Sequence, residues 1–310
     1  MRMKQMRKLI RTIAQALPLM ALISCERDFD VKLNSGDPLL IVEAYINNEM
    51  PSYNYVVLSR SQDYYAPDFR SLAVTKAVVS VTEGELSPDQ RSYTWDPSSK
   101  VILTEANNLQ VPDSLRQGVY FDPRLFTNAS QALVGKPGKA YLLEIDVDGK
   151  HYSSITRLLQ PVILDSLSSG YHYYDAQDNN KYKARITANY QDPDTLGNTQ
   201  MYYWRYESNR NNFGWAGLGR NRRASGVDDL TNGQYIRLTQ NQEFAVGDSV
   251  EYFLVSVERK VYNFWESYDK ARDNEGPFAT PVTLQNTIEG DGVLGCFSGF
   301  SISSKKSIVQ

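Results

Sequence analysis

The chain has 310 residues, 41% hydrophobic and 12% aromatic, with 33 Lys+Arg against 36 Asp+Glu for a net charge of −3. That length is room for about two domains of ~100–200 residues and a sizeable core, and so apolar and tyrosine-rich a chain is not disordered. The charge gives no attraction to nucleic acid, and two Cys with two His supply too little material for a metal cluster or a disulfide framework.

The amino terminus changes those totals. Arg2, Lys4, Arg7, Lys8 and Arg11 precede any acid, and an apolar run from Ile13 to Ile23 follows, interrupted only by Gln15 and Pro18. A basic segment before a short apolar one is the secretory signal pattern, and a run of about 11 residues is too short to span a bilayer, which takes ~20. The run ends in Leu22-Ile23-Ser24-Cys25, which resembles a lipobox: a small residue at the cleavage subsite, then a thiol to form the thioether to diacylglycerol. Cleavage before Cys25 removes five basic residues and no acid, leaving 28 basic and 36 acidic residues, a net of −8 over 286 residues. Since each buried CH₂ is worth ~0.8 kcal/mol, two or three acyl chains (palmitate or similar) hold such a protein where one chain would be marginal. No other segment approaches 18 uninterrupted apolar residues, so no second span is expected. With Cys25 lipidated, Cys296 is the one remaining thiol and is expected to be buried and inert. A Cys25–Cys296 disulfide is the alternative if Cys25 carries no lipid.

Residues 25–37 read as a polar tether. From there the chain reads as short strands. Leu39–Ile46, Tyr53–Ser59 and Ala77–Thr82 are β-branched or aromatic runs bounded by turn formers. Tyr141–Val147 alternates apolar and polar residues, Asp148-Gly149 marks a two-residue hairpin turn, and Lys150-His151-Tyr152 returns. In Tyr182–Tyr190 the residues Tyr182, Ala184, Ile186, Ala188 and Tyr190 point one way, and Lys183, Arg185, Thr187 and Asn189 the other. Met201–Glu207, Gln234–Leu238 and Val250–Glu258 supply further strands. Only Val261, Phe264, Trp265 and Tyr268 keep a helical period, with Glu266 and Lys270 spaced for an i,i+4 pair and Gly276-Pro277 as the stop. The pattern predicts an all-β protein of two β-sandwich (immunoglobulin-like) domains, 38–160 and 161–310, with one short helix in the C-terminal part. A transmembrane β-barrel is the alternative for alternating strands, and the lipobox and irregular strand lengths argue against it.

Several stretches together resemble a known family. They are Cys25 followed by acids, Pro38-Leu39-Leu40-Ile41-Val42-Glu43-Ala44-Tyr45-Ile46, Val57-Leu58-Ser59-Arg60-Ser61 and Ala77-Val78-Val79-Ser80-Val81. Further on come Tyr141-Leu142-Leu143-Glu144-Ile145 with Gly149 and Tyr152, Tyr190-Gln191-Asp192-Pro193-Asp194 with Gly197-Asn198, Phe264-Trp265, and Gly290, Gly292 and Gly295. In this order they resemble the Bacteroidota lipoproteins classed as domain of unknown function 4249, commonly encoded beside TonB-dependent outer-membrane receptors. The resemblance implies an outer-membrane lipoprotein at the cell surface or periplasmic face that assists a TonB-dependent receptor in nutrient uptake. It also draws attention to four Asp-Ser/Thr-apolar tripeptides of the kind such bacteria O-glycosylate: Asp113-Ser114-Leu115, Asp165-Ser166-Leu167, Asp194-Thr195-Leu196 and Asp248-Ser249-Val250.

Chemical motifs are sparse. Gly290-Asp291-Gly292-Val293-Leu294-Gly295 satisfies G-x-G-x-x-G, but a dinucleotide site needs a following helix and a ribose-binding acid ~20 residues on, and only 15 residues remain. Asp192-Pro193-Asp194 with Gly197-Asn198 resembles a calcium loop, yet position twelve falls at Tyr203, so a strand-connecting turn is expected. Asp228-Asp229 before Asn232-Gly233 likewise reads as a solvated turn. His151 and His172 lack an accompanying catalytic signature. The segment Trp204–Arg223 stands out: Arg205, Arg210, Arg220, Arg222 and Arg223 face only Glu207, around a Gly-flexible stretch with Trp215. Arg and Trp are favoured interface anchors, so Trp215, Arg220, Arg222 and Arg223 are the candidate ligand- or partner-binding residues. No catalytic residue, metal or cofactor is expected. The leading expectation is a non-enzymatic accessory or ligand-capture subunit with a glycan or peptide as candidate ligand; the alternatives are a surface hydrolase of glycans or peptides and a structural or adhesive surface module.

Overall fold

A computed structural model of the chain describes residues 37–62, 72–106, 117–177, 181–206, 224–227, 232–274, 280 and 282–310. The strands are β1 (Leu40–Asn47), β2 (Tyr55–Arg60), β3 (Val78–Leu86), β4 (Tyr93–Trp95), β5 (Val101–Glu105), β6 (Val119–Phe121), β7 (Ala140–Val147), β8 (Lys150–Arg157), β9 (Leu164–Asp175), β10 (Lys181–Gln191), β11 (Thr199–Arg205), β12 (Ala224–Val227), β13 (Tyr235–Ala245), β14 (Ser249–Ser256) and β15 (Val293–Ile308). A one-turn helix α1 (Arg124–Thr127) precedes β7, and the longer α2 (Arg259–Arg272) precedes β15. The protein is all-β and sandwich-like with a short helix, as its patterning predicts.

Twelve of these strands form one sheet in the order β12-β11-β14-β15-β1-β2-β6-β5-β3-β7-β8, with β4 paired to β3, while β13-β10-β9 forms a second. The expected boundary at 160/161 does not divide them: residues 37–310 make one compact unit. The reason is β15. Its first half runs parallel to β1, from Leu40↔Val293 to Asn47↔Phe300, and its second half runs antiparallel to β14, from Ser256↔Ser301 to Ser249↔Ile308. One 16-residue strand therefore belongs to both halves of the chain. Gln160-Pro161 is a local break in the chain, and a local break says nothing about which distant strands pair across it.

The central strands are covered on both faces, which explains their long apolar runs. In β11, Tyr202 and Trp204 face the three-stranded sheet, in a core with Ala184, Ile186, Ala188 and Tyr190 from β10. Met201 and Tyr203 face the other way, toward α2. In β1, Leu40, Val42, Ala44 and Ile46 fill a third core with Leu143 and Ile145 of β7, whereas Tyr45 turns to the helix side. The helix lays Val261, Phe264 and Trp265 on that side, and Lys270 Nζ sits 3.3 Å from Glu266 Oε1 at the expected spacing. Its start is tied to β8 by Glu258, whose carboxylate accepts from the Arg157 amide at 2.9 Å and from Arg157 Nε at 2.7 Å. The Asp148-Gly149 hairpin forms as predicted, with φ of 53° and 72°, the left-handed pair that a two-residue turn requires.

Candidate functional site

The three-stranded sheet buries one face against the core and presents the other outward. Outward residues alternate with the core set: Ser166 and Ser168 on β9, Thr187 and Asn189 on β10, Arg237 and Thr239 on β13. Pairing aligns them in two rows, Ser166–Asn189–Arg237 and Ser168–Thr187–Thr239. Together with Tyr171 and Tyr235 they line a concavity of about 580 Å³. Thr187 and Thr239 hydroxyls lie 2.8 Å apart, and Asn189 Nδ2 donates to Ser166 Oγ at 3.2 Å, which fixes the rotamers of the floor.

A bulge shapes one rim. Lys183 pairs with Tyr173 but Arg185 pairs with Gly170, so β9 carries an extra residue there, and Tyr171 takes φ 53°. A bulky residue in the left-handed region is held against its preference, and bulges of this kind re-aim a side chain. Tyr171 is 70% exposed and Tyr235, on the opposite strand, 48%. Arg237 reaches along β13 with its Cζ 6.0 Å from the Tyr235 ring centroid, a weak cation–π contact.

The electrostatics of this face are uneven. Lys183 pairs with Asp175 at 2.9 Å and Arg185 with Glu243 at 3.1 Å. Hydrogen bonds from Tyr173 and Arg185 hold the Glu243 carboxyl below the usual carboxylate range. Arg237 is exposed, and among the described residues no carboxylate pairs with it. The rows therefore combine hydroxyls, an amide, phenol rings and one guanidinium that no described carboxylate answers. A second concavity, of about 340 Å³, lies beside β14, but Arg205 Nε already donates to Glu251 at 2.9 Å and Lys306 stands 3.5 Å from the same carboxylate, so its charges answer one another.

The sequence-predicted residues fare differently. Leu22, Ile23, Ser24, Cys25, Trp215, Arg220, Arg222 and Arg223 all lie outside the described residues, as do Asp113-Ser114-Leu115 and Asp228-Asp229. His151 sits across the β7–β8 hairpin from Asp146, Nδ1 to Oδ1 2.8 Å, and His172 Nε2 lies 2.5 Å from the Gln310 carbonyl oxygen, so the two imidazoles serve separate places. Gly290-Asp291-Gly292 is a turn that leads into β15; a strand, not the helix of a dinucleotide site, follows it. Asp192-Pro193-Asp194 forms the expected turn, with Asp192 accepting from the Gly233 amide at 3.1 Å. Among the described residues no three His, Cys, Asp or Glu side chains converge as a metal site would need. Of the Asp-Ser/Thr tripeptides, Ser166 and Thr195 are exposed while Ser249 is half-buried.

Cys296 is buried in the core on the helix side, where burial pushes its thiol up to about 11. At neutral pH iodoacetamide should leave the peptide carrying Cys296 unmodified in the native chain and alkylate it after denaturation, as peptide mass mapping would read. Native labelling at a rate near that of free cysteine would show the core to be open.

Sequence reasoning missed the outward rows because no single strand announces them. The signal lies in β10, whose alternation puts Thr187 and Asn189 on one face; the matching Ser166, Ser168, Arg237 and Thr239 become neighbours only through strand pairing. No curated protein matches the chain. A family model described as a domain of unknown function (DUF4249) matches residues 26–306, nearly all of the sequence that follows the signal-like segment. The all-β fold of residues 37–310 is therefore that of a member of this family, to which the chain belongs.

Proposed function

We propose that the protein is a non-enzymatic, lipid-anchored outer-membrane subunit that captures ligand for a TonB-dependent nutrient uptake complex. The observation that carries the capture role is the outward face of β9, β10 and β13: a concave, rigid grid of hydroxyl, amide, phenol and guanidinium groups that can hold a polar ligand without a loop having to order. The anchor rests on Leu22-Ile23-Ser24-Cys25 behind a basic and then apolar amino terminus. Acyl chains on Cys25 would leave the 286-residue acidic body on one side of the bilayer, beside a receptor that spans it.

The test is a tagged full-length copy expressed in its own bacterium, mild detergent extraction of the outer membrane, and identification of what remains bound. A TonB-dependent receptor is expected in the eluate, and the Cys25→Ser variant should lose both the acyl mass and the membrane fractionation. Recovery of the lipoprotein alone, under conditions that keep other receptor complexes intact, overturns the assignment.

A further inference from the structure

We infer that the outward face of the three-stranded sheet binds an acidic saccharide, with the sugar hydroxyls on the Ser166–Asn189 and Ser168–Thr187–Thr239 rows and the anionic group on Arg237. The inference rests on the capture role proposed above and gives that role a ligand class. Three features of the face point the same way.

Its composition comes first. Six of the eight residues around the concavity end in a hydroxyl, Asn189 adds an amide and Arg237 a guanidinium. Neutral hydroxyls and amides act both as donors and acceptors, so they match a ligand whose own groups are hydroxyls; a ligand of apolar side chains would leave them unpaired. A peptide strand would seek backbone partners at a sheet edge, whereas here the groups on offer are side chains standing on the face of the sheet.

Charge is the second feature. The mature sequence has a net charge of −8 and would repel an anion on average, so a cation within the concavity that no described carboxylate answers is a local exception. Arg185 and Lys183, one and two same-face positions beyond Thr187 on β10, are each held by a carboxylate, while Arg237 has none among the described residues. A planar guanidinium can take a carboxylate or a sulfate through two parallel hydrogen bonds.

The third is the pair of phenol rings. Tyr235 flanks Arg237 on β13, and Tyr171 is turned onto the rim from β9 by the bulge and its left-handed backbone. Both stay exposed, and an exposed ring offers an apolar surface on which the C–H face of a sugar can rest.

The experiment is calorimetric titration of the purified full chain in detergent with oligogalacturonate, an uncharged oligosaccharide of the same length, and poly-glutamate. Oligogalacturonate should bind, weaken as salt is raised, and lose about tenfold or more in affinity in Arg237→Gln, the factor expected when a charge-assisted hydrogen-bonded pair is removed. Lys150→Gln, which removes an equal charge from the exposed tip of the β7–β8 hairpin, should bind as the unaltered chain does. Thermal unfolding of Arg237→Gln should match the parent, since the residue is exposed. Equal affinity of Arg237→Gln and the parent, poly-glutamate binding as tightly as the sugar acid, or no acidic saccharide binding at all would each overturn the inference. The titration contains no receptor, so its failure leaves the co-purification result to stand or fall separately.

Discussion

Replacing Gly295 with alanine is expected to cost about 4 kcal/mol or more of stability, or to prevent folding outright, which places it among the most damaging single changes available to the chain. Gly295 pairs with Val42 in the parallel ladder of β15 and β1. A Cβ there would overlap the Val42 carbonyl oxygen and lie 2.7 Å from its carbon and 2.9 Å from its nitrogen. Those are backbone atoms, so no side-chain rotation relieves the clash; the strands would have to part. They cannot part locally, because Val42 also pairs with Leu58 of β2 and the Gly295 amide donates to Asn286 Oδ1 at 2.9 Å. The same strand then continues into its pairing with β14, so the damage reaches both halves of the molecule. Gly170→Ala is the matched control: nothing lies within 4 Å of the added carbon, and its stability should stay within about 1 kcal/mol of the parent, near the ordinary Gly/Ala difference. Urea unfolding followed by tryptophan fluorescence reads both. A Gly295→Ala midpoint close to that of Gly170→Ala would mean that β15 and β1 do not approach as described.

Gly295 also shows why the last strand escaped a reading of the sequence. Residues 293–308 contain Gly295, Gly299 and five serines, a composition that reads as a loop. In the structure those small residues are what let the strand fit: a Cβ on Gly299 would come within 2.6 Å of the Arg157 carbonyl oxygen, and Ser301 donates its hydroxyl to the Leu159 carbonyl at 2.5 Å. Strands that announce themselves through alternation, such as β7 and β10, lie within a residue or two of the spans their alternation predicts, because a half-buried face leaves a period of two in any sequence. The helix was equally legible, since Val261, Phe264, Trp265 and Tyr268 mark one side of it. The joining of the two halves was not legible, because it depends on β1 meeting a strand from the far end of the chain. The outward site failed for a related reason. Composition drew attention to the Arg- and Trp-rich segment before Arg223, a dense local signal, whereas the concavity spreads two or three ordinary polar residues over each of three strands. Two bulges in β9–β10 pairing shift the register, so the rows could not be aligned by counting.

The second large effect is expected at Trp265, where truncation to alanine should cost about 3–5 kcal/mol. The indole is 8% exposed and, with Val261, Tyr262 and Phe264, seats α2 on the sheet. Its ring stacks on Tyr45 of β1, centroids 6.1 Å apart and planes at 10°, and meets Phe264 and Tyr268 edge-on at 5.1 and 5.6 Å. Its Nε1–H donates to Ser298 Oγ on β15 at 3.0 Å, and that hydroxyl donates in turn to Cys296 Sγ. Alanine would open a cavity between helix and sheet and strip Ser298 of a donor at once, two losses with separate controls. Trp265→Phe keeps most of the apolar volume and removes the hydrogen bond; Ser298→Ala removes the acceptor and leaves the indole N–H buried without it. Each should cost about 1–3 kcal/mol, the range for orphaning one buried polar group, and the double variant should cost less than the two added together because neither partner then remains to be orphaned. If the two single costs simply add, the hydrogen bond contributes nothing, and if Trp265→Ala costs under about 1 kcal/mol, the helix is held to β1 and β15 by something other than this side chain.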